Sequence, residues 1–399
     1  MGLSSIVPDY PLEWLLYMYL EWAGKNERRI ASRIRKMVEM ESPSDDPKAI
    51  NQFVDWIAAE VNGMAKVKVV KAGQTYGNHL LIEFALPGKK KSGQITALGH
   101  SDTVWPMGTL KSMPFREADG RLWGPGVLDM KAGLAFFLGA MDALRELDVP
   151  VAHKVVLQIN SEEEIGSPSS RSLTEQSARL SKAVLVLEPG TGLTGKLKTA
   201  RKGVGDYTVR AIGKASHAGV DFSAGANAIV ELSRQVEKIA GFTDLKRGLT
   251  VSPGVMQGGT RSNVVPAEAT LEVDIRIARL RDEVGLTKKF QALKPFDKRC
   301  RIEVSGGLNR PPMERSPGIA QLYRLAQKLA AEMGIPMEES MTGGGSDGNF
   351  TAALGVPTLD GLGAVGEGAH ATNESLLVNR IADRTALLAA LVEKLGGHF

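Results

Sequence analysis

Apolar positions along this chain repeat with two periods, about 3.6 residues and 2 residues, and the switching between them predicts helices and strands in succession. Residues 26–62 carry Ile30, Ile34, Met37 and Val38, then Phe53, Val54, Ile57 and Val61, on recurring helical faces, which predicts two surface helices. Val67-Lys68-Val69-Val70 and Leu80-Leu81-Ile82-Glu83-Phe84 read as strands, followed by a turn at Pro87-Gly88-Lys89 and a strand that closes at His100. A small sheet with a hairpin is expected there. The pattern over 132–147 is helical, with Leu134, Phe137, Leu138, Met141 and Leu144 on one side. Val155-Val156-Leu157-Gln158-Ile159-Asn160 and Ala183-Val184-Leu185-Val186-Leu187 have the unbroken apolar character of buried strands. Strands alternating with helices predict an α/β sheet.

The pattern changes over 203–307. Strand (206–212), helix (226–239), strand (249–256), strand (269–277), helix (282–293) and strand (301–304) give the order β-α-β-β-α-β, a split βαβ unit inserted into the first domain. The expected domains are therefore 1–202, 203–311 and 312–399, the first and last forming one body. After the insertion come a helix over 321–331, the glycine-rich stretch Gly343-Gly344-Gly345-Ser346-Asp347-Gly348, and a closing helix over 380–395.

Composition narrows the class. A chain of 399 residues exceeds one simple core, and 43% hydrophobic with 24% charged residues is ordinary for a globular protein. Cys300 is the only cysteine, so an intramolecular disulfide and a thiolate metal cluster are excluded, and a reducing cytoplasm is the expected location. A net charge of +4 without a long basic tract argues against nucleic acid; Lys89-Lys90-Lys91 reads as a solvated turn. The segment from Pro11 to Trp22 lacks a basic start and carries Glu13 and Glu21, so it reads as an amphipathic helix rather than a signal sequence. No run of 18 apolar residues predicts a membrane span.

Candidate chemistry gathers where apolar runs end. His100 and Asp102 lie on the same side of a strand's end because side chains alternate, so one imidazole nitrogen can bind a cation while the carboxylate holds the other. Asp129 stands in a loop leading into a helix. Glu163 and Glu164 follow the run that ends at Asn160, Glu188 follows the run that ends at Leu187, and His370 follows Gly368-Ala369. Two histidines and four carboxylates without a cysteine suit zinc or a similar divalent ion in a hydrolytic site. Two ions need about seven or eight ligand atoms, and one bridging carboxylate lets five residues suffice.

The ordered motifs His100-Ser-Asp102-Thr, Gly124-Pro-Gly-Val-Leu-Asp129-Met-Lys131, Glu162-Glu163-Glu164-Ile-Gly166, Glu188-Pro189, Ser216-His217-Ala-Gly219, Arg261-Ser-Asn263 and Gly344-Gly345-Ser346-Asp347 resemble the two-zinc exopeptidase and amidohydrolase family. That family includes glutamate carboxypeptidase, acetylornithine deacetylase and succinyl-diaminopimelate desuccinylase, and the glutamate carboxypeptidase branch is the nearer in wording. The resemblance implies an α/β catalytic domain with a mixed sheet and an inserted ferredoxin-like lid that also dimerises. It implies two Zn2+ per chain, with Co2+ or Mn2+ as alternatives, one held by His100, Asp129 and Glu188 and the other by Asp129, Glu164 and His370. It makes Glu163 the general base, on the opposite side of the chain from Glu164, and gives Asp102 the orienting of His100. His217 would act from the other subunit's lid, the Asp129–Met130 bond would be cis, and Asn263, Arg276, Arg310 and Gly345 would contact substrate. The activity implied is hydrolysis of an amide beside a free carboxylate, releasing a C-terminal glutamate or similar residue, with N-acyl-amino-acid deacylation as the alternative.

Structural readings compete at several positions. Three successive glutamates also suit a helix start, His217 also reads as a surface-loop histidine, Arg276 as pairing near Asp274, and Arg310 as solvated. His79, His153 and His398 read as structural or exposed, and Glu374 is a carboxylate near His370 to which the sequence assigns no role. The stretch 343–348 fits a dinucleotide-binding pattern but follows Glu338-Glu339-Ser340-Met341-Thr342 rather than an apolar strand, so that context fails. A peptide-binding scaffold would lack one of the ligands or the base, and none is missing.

Overall fold

The computed structural model describes residues 12–88 and 91–395, and the described residues divide into two compact units: 12–88, 91–199, 315–341 and 346–395 form the first, and 200–314 with 342–345 the second. The chain folds as mixed α/β.

In the first unit the strands Ala65–Val70, His79–Phe84, Lys154–Asn160, Gln94–His100, Ser181–Val186 and Thr358–Leu359 lie side by side in that order. The first pairings are antiparallel and the last three parallel. The small separate sheet expected before His100 is therefore part of one six-stranded sheet: Lys154–Asn160 slots between the strand His79–Phe84 and the strand Gln94–His100. Periodicity predicts strands but carries no information on which neighbour arrives later in the chain. In parallel register His100 lies opposite Asn160, so two strand ends deliver their following loops to one edge.

The helix Leu12–Lys25 buries Leu15, Leu16, Tyr19 and Trp22; Pro11 and Lys89-Lys90 lie outside the described residues. Helix Pro47–Glu60 begins with Pro47 after Asp46, whose carboxylate accepts from the amides of Lys48 and Ala49, both at 3.0 Å. Helix Ala132–Glu146 is buried on all faces from Ala132 to Leu144, not on one side as its large residues suggest. Its small residues explain this. A Cβ on Gly139 would sit 3.2 Å from both Ile30 and Thr385, and one on Gly133 would collide with the Leu187 carbonyl. Removing that methyl lets the helix start stand against the strand end that leads to Glu188.

The second unit is the expected β-α-β-β-α-β: Gly203–Ile212, Ala228–Ala240, Thr250–Gly258, Glu268–Ile277, Arg281–Gln291 and Arg301–Arg310. Its antiparallel sheet runs Thr250–Gly258, Glu268–Ile277, Gly203–Ile212, Arg301–Arg310, and alternate residues such as Leu271, Val273, Ile275 and Ile277 form its own core. Two features differ from expectation. The last strand extends to Arg310, and the segment 342–345 groups with this unit. The reason is local: Lys202 N donates to Thr342 O at 3.0 Å, and the Arg201 guanidinium donates to the carbonyls of Gly344 and Gly345 at 3.1 and 2.9 Å. Among the described residues no helix is long and apolar enough to cross a membrane.

Candidate active site

At the carboxyl edge of the parallel strands, His100 is fully buried, and its Nδ1 lies 2.9 Å from the Asp102 carbonyl and 3.3 Å from Asp102 Oδ1. Its Nε2 lies 3.2 Å from Asp129 Oδ1 and 3.5 Å from Glu188 Oε1. On the other side of the same aspartate, Asp129 Oδ2 is 3.5 Å from His370 Nε2, which is also 3.2 Å from Glu164. One carboxylate thus turns one oxygen to each imidazole. His100, Asp129 and Glu164 offer ligand atoms within 4.8 Å of one another, and so do His100, Glu163 and Glu188.

Glu163 and Glu164 therefore reach the same cluster, which corrects the expectation that they point to opposite sides of the chain. Both begin the short 3-10 turn Glu163–Ile165, where the period is not the strand's two. Asp102 explains their placement: its Oδ1 accepts from Glu163 N and its Oδ2 from Glu164 N, each at 3.1 Å, while Ser44 donates at 2.7 Å. Behind the turn, Glu162 is buried and accepts from the Ser169 and Ser170 amides and from the Ser161 hydroxyl. His79, also buried, touches Ser169 and Ser161.

The donor set and its charge fit a divalent cation. Burial works against a charged His100, but hydrogen bonds with Asp102, Asp129 and Glu188 hold it well above the ordinary imidazole value. Hydrogen bonds with Asp129 and Glu164 push His370 up to about 10. Burial and the Asp129 charge raise Glu164 to about 7, and the two imidazoles overcome burial to hold Asp129 below the usual range. Cations held between these oxygens would compete with those protons. The Asp129–Met130 peptide bond is cis.

In the second unit, His217 lies five residues beyond the end of its first strand, Gly203–Ile212, and is bridged to Val264. It is exposed, and its Nδ1 accepts from the Gly219 and Val220 amides at 3.2 and 3.1 Å. With Nδ1 taken up as an acceptor, Nε2 is the ring nitrogen left to donate. Asn263 is exposed, its carbonyl accepting from Ala218 N. Arg276 is engaged by Asp274 itself, at 2.7–3.1 Å. Arg310 is buried rather than solvated, donates to Asn309 Oδ1 at 3.2 Å, and packs on Gly345, where a Cβ would come within 2.9 Å of its Cδ.

Sequence reasoning missed four supporting groups. Arg201 ends the short strand Leu197–Arg201 without a motif. His79 sits in the unmarked stretch before Leu80, and Lys131 lies buried with its ammonium on the Met40 carbonyl at 2.8 Å. Glu374, also buried, takes hydrogen bonds from Gly126, Leu128 and Asp129 amides and the Trp105 indole. His153 is buried as well, and His398 lies outside the described residues.

Residues 97–394 match the model of peptidase family M20/M25/M40. The chain belongs to this family. It is 30% identical over 382 residues to carboxypeptidase G2 of Pseudomonas sp. (strain RS-16), spanning 94% of this chain and 91% of that protein. It is 27% identical over 316 residues to succinyl-diaminopimelate desuccinylase of Legionella pneumophila (strain Lens), spanning 74% of this chain and 82% of that one. The crystal structure of the Bacillus subtilis YXEP protein, a dinuclear metal-binding peptidase of the M20 family, shares the fold with a TM-score of 0.67 at 14% identity, covering 94% of this chain and 100% of that one. Membership of this family makes the chain a hydrolase.

Proposed function

We propose that this M20 hydrolase uses two divalent ions, zinc foremost, to cleave an amide bond beside a free carboxylate and release a C-terminal glutamate or a similar amino acid. The observation that carries the reading is Asp129, whose two oxygens face His100 and His370 separately. His100, Asp129 and Glu188 would hold one ion; Asp129, Glu164 and His370 would hold the other. When bound, such a pair supplies Lewis acidity that polarises the amide carbonyl and makes water more acidic. Glu163 takes the proton of the attacking water and returns it to the departing amine nitrogen, and its amide is fixed for this by Asp102.

His217 stabilises the developing oxyanion by donating from Nε2, acting from the second unit of a partner subunit in a homodimer. Arg310, with Arg276, Asn263 and the Gly345 main chain, receives the substrate carboxylate, for which a guanidinium is well shaped. The relationship to carboxypeptidase G2 supports carboxypeptidase specificity, and that to the desuccinylase supports N-acyl-amino-acid deacylation as a second reading. A panel of Xaa-Glu dipeptides and N-acyl amino acids, assayed with zinc and then with a chelator, separates them. Chelator-sensitive release of glutamate from the dipeptides is expected; turnover of N-acyl amino acids alone would reassign the specificity, and turnover of neither would remove the proposal.

A further inference from the structure

We infer that Glu374 is a positioning residue that sets where the Asp129 carboxylate stands against the His370 imidazole. The inference rests on the dinuclear reading above and concerns a carboxylate that reading does not use. Glu374 is fully buried, and four donors converge on it. Its Oε1 accepts from Leu128 N at 2.9 Å and Asp129 N at 3.1 Å, and its Oε2 from Gly126 N at 2.9 Å and Trp105 Nε1 at 2.8 Å. The amide of Asp129 itself is thus pinned, one bond from the Cα that bears the facing carboxylate. Any shift of that main chain would carry both oxygens away from both imidazoles together.

The other end of the clamp is tied to His370. Ala371 N donates to Gly368 O at 2.8 Å and Glu374 N to Ala371 O at 2.9 Å, so consecutive tight turns join the imidazole to the clamp four residues later. His370 has φ of 62°, a left-handed conformation that only its surroundings can hold in a non-glycine residue. One short segment therefore presents His370 and also fixes the main chain of the aspartate that faces it.

The donor count makes the site demanding. A carboxylate offers two acceptor oxygens, whereas a carboxamide offers one oxygen and one NH2 group. In either orientation, Glu374→Gln would turn that NH2 toward a pair of N–H donors. The variant keeps the side chain's size and removes half of the clamp.

The test strips wild type and Glu374→Gln with a chelator, measures the folded fraction by circular dichroism, and titrates zinc in competition with a chromophoric chelator. Wild type should bind two zinc ions, and folded Glu374→Gln should lose about 10- to 100-fold in zinc affinity, the scale for groups that orient metal ligands. If folded Glu374→Gln binds two zinc ions as tightly as wild type, Glu374 only stabilises a loop and the inference fails while the dinuclear reading stands. If wild type binds no zinc, the dinuclear reading fails and takes the inference with it. Should Glu374→Gln not fold, Trp105→Phe decides: it deletes one donor, leaves the three amides, and should weaken zinc by roughly three- to tenfold, a fraction of the full clamp effect. Wild-type affinity in Trp105→Phe would then overturn the inference.

Discussion

The two units hold their candidate chemistry in opposite ways. In the first, three carboxylates of the cluster leave turns whose main chain is itself hydrogen-bonded by a buried carboxylate: Asp102 for Glu163 and Glu164, Glu374 for Asp129. In the second, His217 and Asn263 are exposed on turns, and Arg276 is satisfied by Asp274 on its own strand. Arg310 is the exception, buried against Gly345. A centre that must hold like charges together needs a rigid frame, because unpaired buried carboxylates are costly. Groups that meet a substrate or a second subunit need only be presented.

That contrast can be broken at its strongest point first. Glu163→Gln should keep two zinc ions but lower kcat by about 10²- to 10⁴-fold, whereas Glu164→Gln should weaken zinc by more than about a hundredfold, beyond the loss of an orienting group. Reversed phenotypes would exchange the two roles, which the shared cluster makes the sharpest question. In the second unit, His217→Ala should cost about 10²- to 10³-fold, as for an oxyanion donor. Mixed with Glu163→Gln under subunit exchange, it should recover roughly a quarter of wild-type activity, since half of the dimers are mixed and each holds one intact site. No recovery in demonstrated mixed dimers would confine His217 to its own chain.

Acid should also act on the first unit selectively. Cations need His370 and Glu164 unprotonated, and both stand raised, to about 10 and about 7. As pH falls below about 10 the His370 proton competes, the raised His100 adds a second, and below about 7 Glu164 adds a further one, so zinc affinity should fall by roughly tenfold per pH unit for each competing proton and most steeply below about 7. A flat profile from pH 9 to 5 by chelator competition would deny that these groups bind the ions. The smallest effects belong to the guanidinium groups. Arg310→Ala should raise KM by about 10- to 100-fold, the worth of a charge-assisted hydrogen bond, and Arg276→Ala by only a few-fold because Asp274 already shares that guanidinium. Equal effects would mean that Arg276 leaves Asp274 on binding.

Much of this is legible in the sequence. Strand ends are marked by the close of apolar runs, so His100 and Glu188 could be placed at one sheet edge, and the inserted β-α-β-β-α-β unit follows from period alone. The rest was hidden for definite reasons. The pairing of Lys154–Asn160 between two earlier strands is a long-range choice. The 3-10 turn replaces strand alternation at Glu163 and Glu164, and the all-round burial of Ala132–Glu146 depends on small residues that an amphipathic count passes over. Glu374 and Arg201 act on main-chain groups, and a side chain that serves a distant backbone leaves no spacing to read.

The most direct test of the dinuclear centre is anomalous scattering at the zinc edge from crystals of the zinc-loaded protein. The account predicts two peaks about 3.5–4 Å apart, one beside His100 and Glu188, the other beside His370 and Glu164, with Asp129 contributing one oxygen to each. A single peak, or two peaks with Asp129 touching only one, would contradict it.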